Sequence, residues 1–213
     1  MQFEPVLLLF FLAAYLLGSI PTAVWIGKIF YNTDVRQHGS GNAGATNVLR
    51  VLGTLPGVVV LIIDAAKGAI AVSLSFLSSH LILDEQWFSA YQLMLGFFAL
   101  IGHVYPLFAG FKGGKGIATL TGILVILFPK AMIICFSIFL VLFLLTRYVS
   151  LGSITASLVF PIAVIWLTGP STIPQIVFAL IIAVFVPLSH RKNIERLLKG
   201  TENKIVFKKN MKA

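Results

Sequence analysis

Apolar residues occur along this chain in long blocks, and short polar stretches rich in glycine separate them. The blocks fall at 5–27, 55–77, 90–110, 117–129, 131–146, 151–168 and 172–189. Crossing the hydrocarbon of a bilayer takes about 20 apolar residues in a helix. The pattern therefore predicts an all-α, polytopic membrane bundle of seven transmembrane helices. The run from Ile117 to Thr146 is long enough for one tilted helix, but Pro129 and Lys130 in its middle predict a break. The first block begins at Pro5 with no Lys or Arg before it. Its length suits a retained span better than a cleaved leader.

Charge placement predicts the orientation. With seven helices, one side holds Lys28, Arg36, Arg50, Lys112, Lys115, Arg147 and all eight basic residues after Ser189. The other side holds only Lys130, and Lys67 lies within the second block. Basic residues gather on the cytoplasmic side of membrane proteins. The expectation is an N-terminus outside and a C-terminus in the cytoplasm. With six helices the basic C-terminal stretch would fall outside.

Composition narrows the class. Of 213 residues, 58% are hydrophobic and 11% charged, with a net charge of +9 and a mean hydropathy of +0.98. A soluble domain needs far more polar surface. One integral-membrane domain over 1–202, followed by a basic cytoplasmic segment 203–213, accounts for the chain. That segment suits a position near anionic headgroups. The single cysteine, Cys135, lies in an apolar block and allows no intrachain disulfide.

The polar motifs all fall on the predicted cytoplasmic side. GSGNAGATNVLR (39–50) brings Gly39, Gly41 and Gly44 together with Ser40, Asn42, Thr46, Asn47 and Arg50. Glycines let successive N–H groups form an anion-binding nest, and the guanidinium fork suits phosphate. The bland alternative is a polar loop capping the next helix. FKGGKG (111–116) places Lys112 and Lys115 among Gly113, Gly114 and Gly116. It is not a Walker A loop: the spacing from Gly110 to Gly114 is one residue short, and Gly116 stands where Ser or Thr would hold Mg²⁺. Two snorkelling lysines explain the charge but not the glycines. His190 and Asn193, three residues apart, share a face on a helix. His103 reads as a hydrogen-bonded structural residue, and the intramembrane pair Asp64 and Lys67 as a packing device rather than a site. No His/Cys/Asp/Glu cluster has metal-ligand spacing.

Four motifs in order carry a resemblance. GSGNAGATNVLR, GHVYPLFAGFKGGKGIAT (102–119), RYVSLGSI (147–154) and HRKNIERLLKGTE (190–202), with DAAKG (64–68), together resemble the bacterial acyl-phosphate:glycerol-3-phosphate acyltransferases, the PlsY family. The likeness runs from the first block to about Glu202. It implies transfer of a long-chain acyl group from acyl phosphate to the 1-hydroxyl of sn-glycerol 3-phosphate. The products are 1-acyl-glycerol 3-phosphate (lysophosphatidate) and phosphate, in the first acylation of bacterial phospholipid synthesis. It implies a donor that is neither acyl-CoA nor acyl carrier protein, while the absence of Ser or Thr after Lys115 and of a carboxylate cluster leads to the expectation of no metal and no other cofactor. It also implies a seven-span fold in the bacterial cytoplasmic (inner) membrane, with the active site facing the cytoplasm. The partners are then the two substrates and membrane lipid, with no nucleic acid and no obligate protein partner.

The residues fit that chemistry. Both substrates carry phosphate, so two anion sites are needed, and two basic glycine-rich loops are present. A mixed anhydride is already activated. No Ser-His-Asp set is evident, and none of the four histidines is followed five residues on by aspartate. Catalysis then rests on positioning and charge neutralisation. The candidate catalytic residues are Ser40, Arg50, Lys115, His190 and Asn193. Ser40, Arg50 and Lys115 are expected around the acceptor phosphate, with His190 and Asn193 beside it. Gly113, Gly114 and Gly116 are expected to offer N–H groups to the acyl phosphate. Gly39, Gly41, Asn42, Asn47, Lys112 and Ser150 complete the substrate-binding set, with Ser150 able to donate to either substrate. The hydroxyl proton goes to a substrate phosphate oxygen or to His190. A transporter for a phosphorylated solute also needs anion loops, but it predicts polar groups on both membrane faces. A scaffold gives no reason for Arg50, Lys115, His190 and Asn193 to share one side.

Overall fold

The computed structural model describes residues 5–82, 84–167 and 172–205; the basic stretch 206–213 and residues 168–171 lie outside the described residues. The chain forms two compact units, Met1–Leu127 and Phe128–Ala213. Among the described residues every regular element is helical. The first unit holds α1 (Val6–Gly18), α2 (Thr22–Tyr31), α3 (Ala45–Val51), α4 (Thr54–Ser73), α5 (Glu85–Val104) and α6 (Ile117–Leu127). The second holds α7 (Pro129–Thr146), α8 (Val149–Leu167), α9 (Ile173–Ser189) and α10 (Arg191–Leu198).

Four helical stretches, Thr54–Leu81, Glu85–Ala109, Pro129–Thr146 and Val149–Leu167, are each long and apolar enough to cross a membrane. The number rises to six if each of two bent pairs is one span. The block expected as one helix over 5–27 is such a pair. α1 stops at Gly18, and α2 leaves at 41° from it. Pro21 is the cause: it donates no N–H, and its ring disfavours helix at the residue before it. The break exposes the Ile20 carbonyl inside the unit, where Lys67 Nζ donates to it at 2.8 Å. α6 has only 11 residues, a rise of about 17 Å against about 30 Å of hydrocarbon. The expected break at Pro129 is present, with that proline in the first turn of α7. α3 and α10 are additional short helices within stretches expected as polar loops.

Small residues set the packing in the first unit. α4 lies along α6, with Gly68 against the Thr119 backbone and Gly122 against that of Ala65. α1 lies along α5, where Gly18 meets Ala99 and Gly102 meets Tyr15. A Cβ at any of the four would overlap a carbonyl oxygen. Lipid tails are as apolar as leucine, so close backbone approach and dispersion, rather than water exclusion, hold such helices together. In the second unit α8 packs on both α7 and α9. The Phe128 ring meets Phe160 edge-on at 5.4 Å and stacks on Phe178 at 6.3 Å. Outward positions such as Leu145 and Trp166 are exposed and apolar, as a lipid-facing surface requires.

Candidate active site

The first polar loop is built around Asn47. This side chain is buried at the start of α3, with 2% exposure. Its oxygen accepts from Ser40 N at 2.8 Å, and its amide donates to Val35 O at 2.7 Å and His38 O at 3.1 Å. Both donors of Asn47 thus go to shaping the loop. Gly39 takes φ +61°, and a side chain there would run into the Asn47 oxygen. The turn leaves Ser40 exposed and Asn42 half-buried, and Arg50 is half-buried in the last turn of α3.

The second loop differs more from expectation. The N–H groups of Gly113 and Gly114 donate to Val104 O at 3.1 Å and His103 O at 3.3 Å. They close the C-terminal end of α5, whose last carbonyls have no partner within the helix. In this fold both N–H groups, expected to face phosphate, are engaged by α5. Close approach explains why both are glycine: a Cβ on Gly113 would overlap His103 O, and one on Gly114 would overlap His103 Nε2. Gly116 takes φ +78°, and its carbonyl accepts from Leu120 N at 2.7 Å to start α6. Lys112 is exposed at the tip, and Lys115 is half-buried just before the helix.

The two loops are neighbours within the first unit. Arg36 joins them: Nη1 donates to Ala109 O at 3.0 Å, while Nε and Nη2 grip both oxygens of Asp34 at 3.0 and 2.8 Å. The Arg36 hydrogen bonds outweigh burial and hold the Asp34 carboxyl well below the usual carboxylate range, with Lys28 adding to the effect at 3.5 Å. The Ala43 carbonyl faces Gly114 closely enough to crowd any side chain placed there.

Beneath the loops lies a buried polar cluster. Asp64 Oδ1 accepts from Lys67 Nζ at 2.8 Å and from Thr22 Oγ1 at 2.9 Å. His103 Nδ1 lies 3.1 Å from Thr119 Oγ1 and 3.8 Å from Asp64 Oδ1. Asp64, Lys67, His103 and Thr119 are all buried.

In the second unit Glu202 is the organising group. Its Oε1 accepts from Ser150 Oγ at 2.8 Å and Asn193 Nδ2 at 2.7 Å, and its Oε2 accepts from Arg196 Nε at 2.7 Å. Burial pushes this carboxyl up, but the bonds from Arg196, Asn193 and Ser150 outweigh it and hold Glu202 below its ordinary range. The single hydroxyl hydrogen of Ser150, expected to face substrate, goes here to Glu202. Ile205 N donates to Arg147 O at 3.0 Å and continues the fold-back. His190, 3% exposed, sets Nδ1 at 2.9 Å from Val186 O. A carbonyl oxygen only accepts, so Nδ1 carries the hydrogen and the lone pair of the neutral ring is on Nε2.

Residues 8–200 match the family described as Glycerol-3-phosphate acyltransferase. The chain belongs to that family. The glycerol-3-phosphate acyltransferase of Chlorobaculum tepidum is 40% identical over 218 residues, spanning 91% of this chain and 94% of its own. A crystal structure of PlsY, an integral membrane glycerol 3-phosphate acyltransferase, in its glycerol 3-phosphate form aligns with a TM-score of 0.83 at 36% identity. The alignment covers 94% of this chain and 96% of that one. The lysophosphatidic acid form of PlsY aligns with a TM-score of 0.80 at 36% identity, over 95% and 96% of the two chains. The all-helical membrane fold of the glycerol-3-phosphate acyltransferases is thus the fold of this chain.

Within this acyltransferase fold, His103 is the hydrogen-bonded residue expected, whereas the sequence pattern did not reveal the roles of Arg36 and Glu202. Arg36 and Glu202 stand in it only as charge or as the end of a motif. One cue is present for Glu202: it is one of only two acids, with Glu195, in the basic stretch after Ser189.

Proposed function

We propose that this member of the glycerol-3-phosphate acyltransferase family takes its acyl group from a long-chain acyl phosphate. It places that group on the 1-hydroxyl of sn-glycerol 3-phosphate, giving 1-acyl-glycerol 3-phosphate and phosphate. One observation carries the reading: two basic, glycine-rich loops lie side by side within one unit of an otherwise apolar protein, joined by Arg36 and by Ala43 against Gly114. A reaction between two phosphorylated substrates, one of them a lipid, calls for that combination. The lysophosphatidic acid form of the solved PlsY relative supports the product.

Lys115, Arg50 and Ser40 bind the phosphate of glycerol 3-phosphate. Lys115 and Gly116 stand at the start of α6, where helix N–H groups favour an anion. Lys112 lies at the loop tip for the approaching donor. Gly39, Gly41 and Asn42 shape and line the first loop, and Asn47 holds it. The glycerol oxygen attacks the acyl carbonyl carbon, the bond from that carbon to the phosphate oxygen breaks, and phosphate leaves. The hydroxyl proton passes to a phosphate oxygen of the substrate or to Nε2 of His190. Asn193 and Ser150 are held by Glu202. The protein needs no metal or other cofactor and no obligate protein partner for this chemistry.

We further propose seven crossings, with α1 and α2 together as the first, then α4, α5, α6, α7, α8 and α9. The N-terminus lies outside and the basic C-terminal segment 203–213 in the cytoplasm. Residues 1–202 form one acyltransferase domain in the bacterial inner membrane, with its site facing the cytoplasm. The distribution of Lys and Arg supports this orientation. The deciding experiment is phosphate release by the purified protein given palmitoyl phosphate and glycerol 3-phosphate. Release that requires both substrates is the expected result. Release no faster than without protein, from folded material, overturns the assignment.

A further inference from the structure

His103 touches the second glycine loop twice. Its carbonyl oxygen accepts the Gly114 N–H at 3.3 Å. Its ring Nε2 packs against Gly114, in the place a Cβ would occupy. The other ring nitrogen, Nδ1, lies 3.1 Å from the Thr119 hydroxyl in the first turn of α6. The ring therefore spans from the end of α5 to the start of α6, bracing the loop at both ends. Asp64 Oδ1 stands behind it at 3.8 Å from Nδ1, itself fixed by Thr22 and by Lys67. Lys67 is anchored in turn to the Ile20 carbonyl at the α1–α2 break. Helices α2, α4, α5 and α6 thus converge on one imidazole under the loop.

We propose that His103 is a positioning residue for Lys115, acting through Gly114, with Thr119 and Asp64 fixing its ring. Lys115 follows Gly114 directly, so any drop or tilt of the glycine is passed to the lysine. A displacement of about 1 Å in a positioning group lowers rate up to about 100-fold. His103 itself touches no reacting atom in this scheme. The inference rests on the reading of Lys115 as a phosphate ligand and adds the device that sets its height. The DAAKG stretch then acts at one remove from the chemistry, because Asp64 and Lys67 hold the brace and not the substrate.

The test is a kinetic double-mutant cycle on the full chain, with palmitoyl phosphate as donor and glycerol 3-phosphate varied. Thermal stability of each variant is measured in parallel. His103→Ala should lower kcat/KM for glycerol 3-phosphate about 10-fold, mainly by raising KM, within the range expected of a misplaced group. In a Lys115→Ala background the same change should have almost no further effect. Thr119→Val, which removes the hydroxyl at nearly constant shape, should move KM in the same direction and be likewise silent without Lys115. This second variant carries the cycle if His103→Ala does not fold. Equal factors in both backgrounds overturn the positioning role while leaving Lys115 as a ligand. A silent Lys115→Ala overturns the substrate role of Lys115 and this inference with it. Loss of stability with unchanged kinetics per folded molecule overturns it as well.

Discussion

Ser150 gives its hydroxyl hydrogen to Glu202 across 2.8 Å, between residues 52 positions apart in the chain. The same carboxylate receives Asn193 and Arg196, so one acid fixes the start of α8, the face of α10 and the segment that follows it. Hydrogen bonds to a charged group contribute about 1.5–3 kcal/mol each. Glu202→Gln keeps the shape but removes the charge. It should lower the stability of the folded protein by about 2–3 kcal/mol, read as the midpoint of thermal or denaturant unfolding in detergent. Unchanged stability would show that the three donors find other partners.

The pH dependence of that loss has a definite sign. The folded Glu202 carboxyl lies below its ordinary value, which for glutamate is about 4.3. Its contribution is therefore complete above that value and is lost as pH falls through the folded one. The stability gap between wild type and Glu202→Gln should be widest near neutrality and narrow on acidification. A gap that widens in acid would contradict the depressed carboxyl.

Lys115→Ala and Arg50→Ala each remove a positive charge proposed to meet a phosphate. At about 1.5–3 kcal/mol for a bond to a charged partner, each should lower kcat/KM about 10- to 150-fold. Steady-state rates with glycerol 3-phosphate as the varied substrate check this. A change confined to protein yield would move both residues out of the site.

The two loop glycines should respond differently to one added methyl. At Gly113 the Cβ would meet the His103 carbonyl oxygen, a backbone atom with little room to yield. At Gly114 it would meet a side-chain atom, the tip of the His103 ring, with the Ala43 carbonyl oxygen further off at 3.0 Å. Gly113→Ala should therefore reduce stability more than Gly114→Ala. Gly114→Ala should act mainly on KM. Comparing unfolding midpoints with kinetics for both variants decides the point.

The buried pair of Asp64 and Lys67 makes a further prediction. Removing one partner leaves an uncompensated charge, which costs about 3–5 kcal/mol. Lys67→Met alone should therefore destabilise more than Lys67→Met combined with Asp64→Asn. The double change being the worse of the two would mean that each charge serves a separate group.

Orientation is tested by labelling. In a Cys135→Ala background, Ser79→Cys should react with an impermeant thiol reagent applied to intact cells, and Lys199→Cys should not. Both positions are exposed. Reaction at 199 from outside would reverse the proposed topology.

Much of the fold was legible because hydrocarbon demands long apolar runs, and those runs mark helices whatever their neighbours do. Pro129 and the basic loops were equally plain. What the pattern did not convey was geometry that depends on partners distant in sequence. Pro21 sits in an unbroken apolar block, and only the Lys67 bond to Ile20 shows why a break there is tolerated. The glycines of FKGGKG look the same in a phosphate nest and in a helix cap. The N–H groups of Gly113 and Gly114 face the end of α5 because Pro106 turns the chain back on it. Asn47 and Ser150 show their protein partners, Val35, His38 and Glu202, only in the folded chain. A polar side chain near a loop announces a hydrogen bond, but not with whom.

The fold-back at Glu202 and Ile205 bears on how the protein is made. Every apolar helix among the described residues precedes these residues in the chain, so insertion into the membrane can proceed before the clamp exists. Ser150 enters the bilayer early and waits for an acid that is synthesised after α10. A chain interrupted before Thr201 would carry every apolar helix among the described residues and still lack the carboxylate that unites α8 and α10. Arrival of the apolar helices and completion of the second unit are thus separate events in time, and the last of them depends on a short stretch that follows α10.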